Sequence, residues 1–579
     1  MYGWTGRIVK VDLTRGDSWS EQIPSELLHS YLGGRGLGVR LMRDHFRLDP
    51  FDPQLPLIFV VGPLCGTVAP ASSILSIVSR SPLTGTISSS SSGSSFAAGL
   101  KNAGYDALFI TGESERPVII TITPDGVAIV AAETLWGRTA GETLSALAGS
   151  GNVAAIGPAG ENRVLFAGIT SGRGINAGRG GLGAVMGGKR LKAVVAKGGI
   201  KTAVADEKRL LQAGENGMRL FRASPFLFGE MGVNEYGTPA LVDLMELRRV
   251  TPTENFRKSS FPCSRNYSGP AIRRAYKAIK SDYCDCPIKC GKISDNGLLL
   301  PEYDAVSHFG ALIGNGNLES IVKANALCSE LGMDAVSTAA TLSAWGEWRG
   351  SFPSAGELPR LILDLAMRRG EGDLLAEGSR RAMAVLGRPE LSMSVKSLEL
   401  PACDPRGSYG TALAYCTSNR GGCYLGAYPV SHEILRKPVP TDRFSFSGKA
   451  RIIAIAEDTY AAGDSIGVCR LALLGASLEE YGEMLAAVIG IEQTAGELQQ
   501  AGARIHLTER FYNAANGFEV KDDSLPERFY RESGSGGEGV EIPPIDRRRF
   551  DEELQKYYRI RGLTPGGTFE DIAFLDEQP

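Results

Sequence analysis

The stretch DALFITGESERPVIITIT, residues 106–123, decides the fold class of the first third of the chain. It holds two short runs rich in isoleucine, valine, phenylalanine and threonine, separated by a segment that begins at Gly112 and ends at Pro117. Such runs, bounded by turn residues, favour β-strands. The same texture recurs over residues 1–205 and predicts a β-rich region with further strands at RIVKVDL (7–13), PLIFVVG (56–62), VAAIG (153–157) and LKAVVAKG (191–198).

The pattern of apolar residues changes near residue 206. In LESIVKANALCSELG (318–332), apolar residues recur at Ile321, Ala324, Leu327 and Leu331, which is helical spacing. Further helices are expected at DAVSTAATLSAWGEW (334–348), LPRLILDLAMRRG (358–370) and LEEYGEMLAAVIG (478–490). The sequence therefore predicts an α+β protein in which a β-rich domain, 1–205, precedes two mostly helical domains, 206–410 and 411–579.

Composition narrows the class of function. The 579 residues carry a formal net charge of −3, and no basic stripe with interleaved aromatic residues points to a nucleic-acid partner. No apolar run is long enough for a membrane span, and the N-terminus lacks the features of a secretory signal. We therefore expect a cytoplasmic protein whose ten cysteines stay reduced, so that clustered cysteines indicate metal binding.

The sharpest local signal is YCDCPIKCG, residues 283–291. Cys284, Cys286 and Cys290 can converge on one point, and an iron–sulfur cluster needs about four such thiolates. Cys469, in GDSIGVC (463–469), is the candidate fourth ligand. A zinc site or a chance cluster are the alternatives, although no second Cys pair suggests zinc. The remaining cysteines are interpreted as small buried apolar residues: Cys65, Cys263, Cys328, Cys403, Cys416 and Cys423.

Glycine-rich segments form the second signal. GRGGLG (178–183) fits the spacing of a dinucleotide-binding turn, but a strand follows it too soon for that fold. The overlapping GxxxxGK pattern lacks the Ser or Thr that binds magnesium in a P-loop. What remains is a set of loops whose backbone N–H groups could approach an anion or a fused-ring cofactor. GGRGLG (33–38) and the serine tract 88–95 are expected to be of the same kind.

Taken in order, these motifs resemble the aldehyde:ferredoxin oxidoreductase family along nearly the whole chain. The resemblance begins with MYGWTGRIVKVDLTRG (1–16) and ends with LQKYYRIRGLTPGGTFE (554–570). Between them lie GPLCGTVAPASS (62–73), RSPLTG (80–85), IGPAGEN (156–162), AGRGGLGAVMGGKRLKAV (177–194), CPIKCG (286–291), PEYDAV (301–306), LGMDAVST (331–338), NRGGCYL (419–425) and GDSIGVC (463–469).

The resemblance implies a β-rich domain that cradles tungsten or molybdenum held by two pterins, with Mg²⁺ bridging the pterin phosphates and a [4Fe–4S] cluster nearby. It implies cluster ligands at Cys284, Cys286, Cys290 and Cys469. The residues it implies for pterin binding are Ser91, Gly93, Asn176, Gly180, Gly181, Gly183, Asp334, Asp464, Gly467 and Val468. Asp334 also suits the N-cap of the following helix. The implied partner is ferredoxin or another iron–sulfur carrier subunit, in a homodimer or hetero-oligomer.

This chain departs from the family pattern at several positions. Tyr283 stands where the first cluster cysteine is expected, one residue before Cys284. Tyr424 replaces a family histidine, and Asp304 replaces the second glutamate of a Glu-Tyr-Glu motif. Ile74 and Ile175 align with two arginines near the pterin phosphates, and Ser91 aligns with an asparagine near magnesium. The basic residues that could substitute are Arg80, Arg173 and Arg179.

Three functions are consistent with this pattern. The first is oxidation of an aldehyde to a carboxylic acid, with Glu302, Asp304 and Tyr424 as the groups that handle protons. The second is low-potential reduction of an aromatic or acyl thioester on the same scaffold, which the altered acid–base residues favour. The third is a non-catalytic electron-transfer subunit. His308 and His432 lie close to the motifs in sequence and are further candidates for a place near the metal.

Overall fold

The computed structural model describes residues 1–172, 174–281, 285–534 and 541–570. Its first six strands form one mixed sheet in the order β2-β1-β6-β3-β4-β5. The central strand β3 is buried at every position because it lies between β6 and β4, whereas the edge strand β2 is exposed at every position. The six strands are β1 (Arg7–Asp12), β2 (Asp17–Gln22), β3 (Leu57–Val61), β4 (Ile74–Arg80), β5 (Ile87–Gly93) and β6 (Ala107–Thr111).

The next six strands form a second mixed sheet in the order β11-β10-β9-β12-β7-β8. As in the first sheet, one pair is parallel, here β12 with β7, and the other pairs are antiparallel. The strands are β7 (Val118–Thr123), β8 (Gly126–Ala131), β9 (Asn152–Ala155), β10 (Ile169–Ser171), β11 (Ile175–Ala177) and β12 (Leu191–Ala196). Each strand predicted from the sequence is confirmed within two residues at each end.

Six short helices accompany the sheets: α1 (Ser25–Tyr31), α2 (Gly34–Leu41), α3 (Ser95–Asn102), α4 (Ala140–Leu147), α5 (Pro158–Glu161) and α6 (Leu182–Gly188). The loop character predicted for 33–38 and for the serine tract is wrong, because these segments lie in α2 and β5. The glycines of α2 serve packing instead. A Cβ at Gly34 would overlap the carbonyl oxygen of Asp464, so the small residue lets two helices touch.

The remainder of the described chain is mostly helical, as predicted. Its helices are α7 (Glu207–Ala223), α8 (Pro225–Phe228), α9 (Val233–Tyr236), α10 (Leu241–Leu247), α11 (Gly269–Tyr276), α12 (Tyr303–Phe309), α13 (Leu318–Leu331), α14 (Ala335–Trp348), α15 (Leu358–Ala366), α16 (Glu371–Leu375), α17 (Ser379–Val385), α18 (Tyr409–Thr417), α19 (Val430–Glu433), α20 (Lys449–Ile466), α21 (Leu478–Ile489), α22 (Ala495–Ala515), α23 (Arg528–Arg531) and α24 (Arg547–Ile560).

Two small two-stranded sheets and several short 3₁₀ helices connect these elements. The strands are β13 (Ile279–Lys280), β14 (Lys292–Ile293), β15 (Ser394–Val395) and β16 (Leu398–Glu399). The 3₁₀ helices are Ala148–Ser150, Thr238–Ala240, Pro262–Tyr267, Ala311–Ile313, Pro389–Leu391, Pro405–Gly407, Tyr424–Gly426, Ala472–Leu474 and Val520–Asp522. Among the described residues, no helix is both long and apolar enough to cross a membrane.

The apolar core links distant parts of the chain. One large cluster of buried residues joins both sheets to the end of α20 and to α21 and α22. A second cluster contains buried residues of α12, α13, α14 and α15, together with residues of α18, of the first half of α20 and of α24. Because α20 contributes to both clusters, it lies between the sheets and the helical part. The domain limits 1–205, 206–410 and 411–579 stay a prediction.

The contact between α20 and α22 suggests a test of this packing. A Cβ at Gly502 of α22 would overlap the carbonyl oxygen of Asp458, whereas Gly496 of the same helix has only one atom near its Cβ position. We expect Gly502→Ala to destabilise the protein by about 1–3 kcal/mol. Gly496→Ala should instead stabilise it by up to about 1 kcal/mol, because alanine is the better helix former. Urea unfolding of both variants checks this; equal midpoints would contradict the packing.

Candidate active site

One cavity of about 330 Å³ lies where the sheets meet the helical part. Its wall is assembled from segments far apart in sequence: β5, the β10–β11 region, the loop 286–291, the start of α12, and the loops that follow α18 and α20. Most of the residues predicted from the sequence lie on this wall: Ser91, Gly93, Asn176, Cys286, Cys290, Glu302, Asp304, Tyr424, Asp464, Val468 and Cys469.

Three cysteines lie on the cavity wall. Burial, and then the nearby Cys469, raise the pKa of the Cys290 thiol. Burial, followed by Cys286, raises the pKa of Cys469 to about 12. The three thiols are therefore close enough to influence one another. Cys284, the other predicted ligand, lies outside the described residues. Within the described ranges, no three Cys, His, Asp or Glu side chains form a site for a single metal ion.

The end of α20 explains how Cys469 reaches this place. Gly467 caps the helix with a left-handed backbone, φ 90°, and the N–H of Val468 donates to the carbonyl of Gly463. The N–H of Cys469 then donates to the carbonyl of Ala71 at 2.9 Å. The chain turns at Gly467 and presents Val468 and Cys469 to the cavity, while Gly467 itself is not on the wall.

Asp464 is a buried carboxylate at the same end of α20. Its two oxygens accept hydrogen bonds from Arg470 at 2.9 and 2.6 Å, and one of them also accepts a bond from Arg35 at 3.3 Å. Burial alone would raise the pKa of Asp464, but Arg470 and Arg35 outweigh it and lower the pKa. Asp464 is therefore ionised at neutral pH and has room for one further donor from the cavity.

Asp334 is the N-cap of α14, as predicted. Its carboxylate accepts hydrogen bonds from the N–H groups of Val336 and Ser337, each at 3.2 Å. It also pairs with Arg179 at 3.3 Å. Arg179 lines the cavity and Asp334 does not. In this structure Asp334 is a carboxylate behind the wall that orients a wall arginine, and its predicted pterin role stays a prediction.

Gly180, Gly181 and Gly183 also lie outside the cavity wall. A Cβ at Gly181 would overlap the carbonyl oxygen of Leu165, and a Cβ at Gly183 would overlap that of Gly168. Gly181 and Gly183 therefore allow close packing of the start of α6 against the loop between α5 and β10. Their predicted cofactor role stays a prediction.

Several polar atoms on the wall have no partner within the described structure. They are buried, and they comprise the hydroxyls of Ser91, Ser92 and Ser281 and the Asn176 side-chain carbonyl. The Asn176 side chain is fixed, since its amide donates to the carbonyl of Met333 at 2.8 Å. Buried polar groups in native proteins are nearly always hydrogen-bonded. This wall therefore fits a ligand rich in polar atoms.

Glu302 and Asp304 are the carboxylates at the start of α12. Burial, followed by the charge of Asp304, raises the pKa of Glu302, whose side chain faces the cavity. Burial also raises the pKa of Asp304, although the N–H of Ala402 donates to it at 3.0 Å. His308 does not line the cavity; its ring nitrogens lie 2.8 and 3.1 Å from the carbonyl oxygens of Asp304 and Leu400. The two acids can thus exchange protons closer to neutral pH than ordinary carboxylates.

Tyr424 lines the cavity, and its side chain is almost fully buried. Its ring packs against the rings of Tyr415 and Tyr428, with distances of 5.9 and 5.7 Å between the ring centroids. Burial raises the pKa of Tyr424 well above its ordinary value, so the phenol keeps its proton at neutral pH. It can therefore donate a hydrogen bond into the cavity.

Of the substitute arginines suggested by the sequence, Arg179 lines the cavity, Arg80 does not, and Arg173 lies outside the described residues. Ile74 and Ile175 are both on the wall. Two further arginines on the wall, Arg420 and Arg470, were not predicted as site residues from the sequence. Arg420 lies within the motif NRGGCYL (419–425), and Arg470 directly follows GDSIGVC (463–469). His432 does not line the cavity.

Comparisons with known proteins agree with this architecture. The family model "Aldehyde ferredoxin oxidoreductase, N-terminal domain" matches residues 8–198, and "Aldehyde ferredoxin oxidoreductase, domains 2 & 3" matches residues 212–572. Tungsten-containing aldehyde ferredoxin oxidoreductases from Pyrococcus furiosus and Thermococcus kodakarensis are each 37% identical to this chain. Each alignment covers 98% of this chain and 97% of the relative.

A solved structure shares the fold. It is the active-site complex BamBC of benzoyl coenzyme A reductase, bound to 1,5-dienoyl-CoA, with a TM-score of 0.84 and 24% identity. The match covers 99% of this chain and 97% of that one. At this identity the likeness concerns the fold alone. The two family models, together with the full-length relatives, show that this chain belongs to the aldehyde ferredoxin oxidoreductase family.

Proposed function

We propose that this chain oxidises an aldehyde to the corresponding carboxylic acid and passes the electrons to ferredoxin or another iron–sulfur carrier. The overall reaction adds water to the aldehyde carbon and releases two protons and two electrons. The observation that carries the proposal is the cavity itself. It brings three thiols, an acid pair, a phenol donor and hydroxyls without a partner in the described structure to one wall.

The donor set fits the cofactors of the family. Cys286, Cys290 and Cys469, with Cys284, would hold a [4Fe–4S] cluster. The unpaired groups Ser91 and Asn176, with Asp464 and Val468, would face a tungsten or molybdenum bis-pterin, with Mg²⁺ at its phosphates. When bound, the pterin-held metal accepts the electron pair of the substrate, and the cluster passes single electrons onward.

The side chains around the cavity supply the proton chemistry. Tyr424, protonated at neutral pH, can donate a hydrogen bond to the substrate oxygen and stabilise charge that develops there. Glu302 or Asp304 can accept the proton that is released, since burial brings their pKa values toward the working pH. The apolar wall residues Leu241, Leu425 and Leu474 would limit the water that reaches the substrate.

A direct assay tests the proposal. Protein purified anaerobically should convert short aliphatic and aromatic aldehydes to acids while reducing ferredoxin or a viologen dye. Two electrons should be transferred to the acceptor for each molecule of acid that is formed. If metal-loaded protein forms no acid but reduces an aromatic thioester instead, the alternative reductase function replaces this one.

Tyr424 allows a more specific prediction. Tyr424→Phe removes the phenol donor and should lower kcat by about 10²–10³, if the bond forms mainly in the transition state. Tyr424→His should add an imidazole limb, with an ordinary pKa of about 6.5, to a pH–rate profile that in the natural chain reports the acid pair Glu302 and Asp304.

Tyr415→Phe is the matched control for this prediction. Tyr415 packs against Tyr424 but lies off the cavity wall, and its hydroxyl donates to the carbonyls of Pro401 and Cys403. Its loss should reduce stability and leave kcat nearly unchanged. Normal turnover by Tyr424→Phe would assign Tyr424 to packing alone.

A further inference from the structure

Arg420 is a cation on the cavity wall that forms no ion pair with an acidic side chain of the described residues. It follows α18, and its guanidinium donates to the carbonyl of Ser89 at 3.1 Å and to the Cys423 sulfur at 2.8 Å. Among the residues that the structure describes, no carboxylate forms an ion pair with it. Two of its five N–H groups are used in these contacts, and three remain for the cavity.

The other two wall arginines differ from Arg420. Arg470 pairs with Asp464 at 2.6 Å, and Arg179 pairs with Asp334 at 3.3 Å. Each of these cations is neutralised by the protein itself. Arg420 has no direct ion pair among the described residues and instead contacts the sulfur of Cys423, whose pKa burial would raise but Arg420 and Arg179 lower. Arg420 is thus a wall arginine with which no carboxylate of the described residues pairs directly, and Asp464 acts on it only at longer range.

The surroundings of Arg420 point to a ligand rich in oxygen atoms. The carbonyl of Ser89 that receives its hydrogen bond belongs to β5, whose residues Ser91 and Ser92 carry buried hydroxyls without partners. Because side chains alternate along a strand, Ser91 and Ser92 face opposite sides of β5. Ser91 is the less buried of the two and lies on the same cavity wall as Arg420. A guanidinium beside free hydroxyl donors is a typical site for phosphoryl oxygens.

We infer that Arg420, together with the Ser91 hydroxyl, anchors a phosphoryl group of the resident pterin cofactor. The inference rests on the proposed function. Ile74 and Ile175 lie on the same wall but carry no charge, so they cannot bind the phosphoryl group. An arginine buried without a counter-charge is strongly unfavourable, and a substrate phosphate would leave it so between turnovers. A resident cofactor compensates it permanently.

Cofactor retention tests the inference. Arg420→Met, Arg420→Lys and the natural protein are loaded identically, and the release of tungsten and of fluorescent pterin from folded protein is followed over time. Arg420→Met should lose both about tenfold to a hundredfold faster, as expected for losing charge-assisted hydrogen bonds. Arg420→Lys keeps the charge but not the planar fork, and its release rate should lie between the two.

Arg80→Met is the matched control. The Arg80 guanidinium also forms no ion pair with a carboxylate of the described residues, but the carbonyls of Arg47, Leu48 and Gly85 hold it away from the cavity. This variant should release cofactor at the natural rate, and thermal unfolding would confirm that both variants are folded.

The outcomes separate this inference from the proposed function. Equal release from Arg420→Met and natural protein would overturn the role of Arg420. Unchanged release with a raised KM would assign its charge to the substrate and would equally overturn the cofactor assignment. A natural protein that holds neither tungsten nor pterin would instead contradict the proposed function.

Discussion

The rest of the site depends on one buried ion network. Arg35 of α2 donates to Glu509 of α22 at 2.8 and 2.7 Å and to Asp464 of α20 at 3.3 Å, and Arg470 completes the set. Asp464 can be buried and ionised only because these two cations face it. The network joins α2, which packs against β3 and β4 of the first sheet, to helices more than 400 residues later in the chain. Losing one partner would leave a buried charge at a cost of about 3–5 kcal/mol.

This constraint determines where the chemistry can occur. The turn at Gly467 follows Asp464 directly, so fixing the carboxylate also fixes Val468 and Cys469 against the loop that carries Cys286 and Cys290. The opposite segments of the wall come from β5 and β11. A cofactor bound there would contact both the sheets and the helices, and its binding energy would add to the stability of the fold. We therefore expect folding and cofactor insertion to be coupled.

The sequence predicted the fold well where a pattern reports local structure. β-branched runs located β3 and β7, and helical periodicity located α13 and α21. Glycine patterns misled at 33–38, because a glycine needed for close helix packing looks the same in sequence as one needed in a loop. Arg420 escaped notice for a similar reason: its importance lies in the missing carboxylate, which only the three-dimensional arrangement reveals. Cys469 could be predicted as a ligand only with the support of the motif resemblance, since no local pattern links it to residues 286–290.

The central claim is that this wall holds both a pterin-bound metal and an iron–sulfur cluster. Elemental analysis of anaerobically purified protein tests it most directly. The account predicts about four iron atoms and one tungsten or molybdenum per chain, with iron lost in Cys469→Ala and kept in Cys328→Ala, whose thiol is buried away from the cavity. Iron without tungsten or molybdenum would make the chain an electron-transfer subunit and would contradict the account.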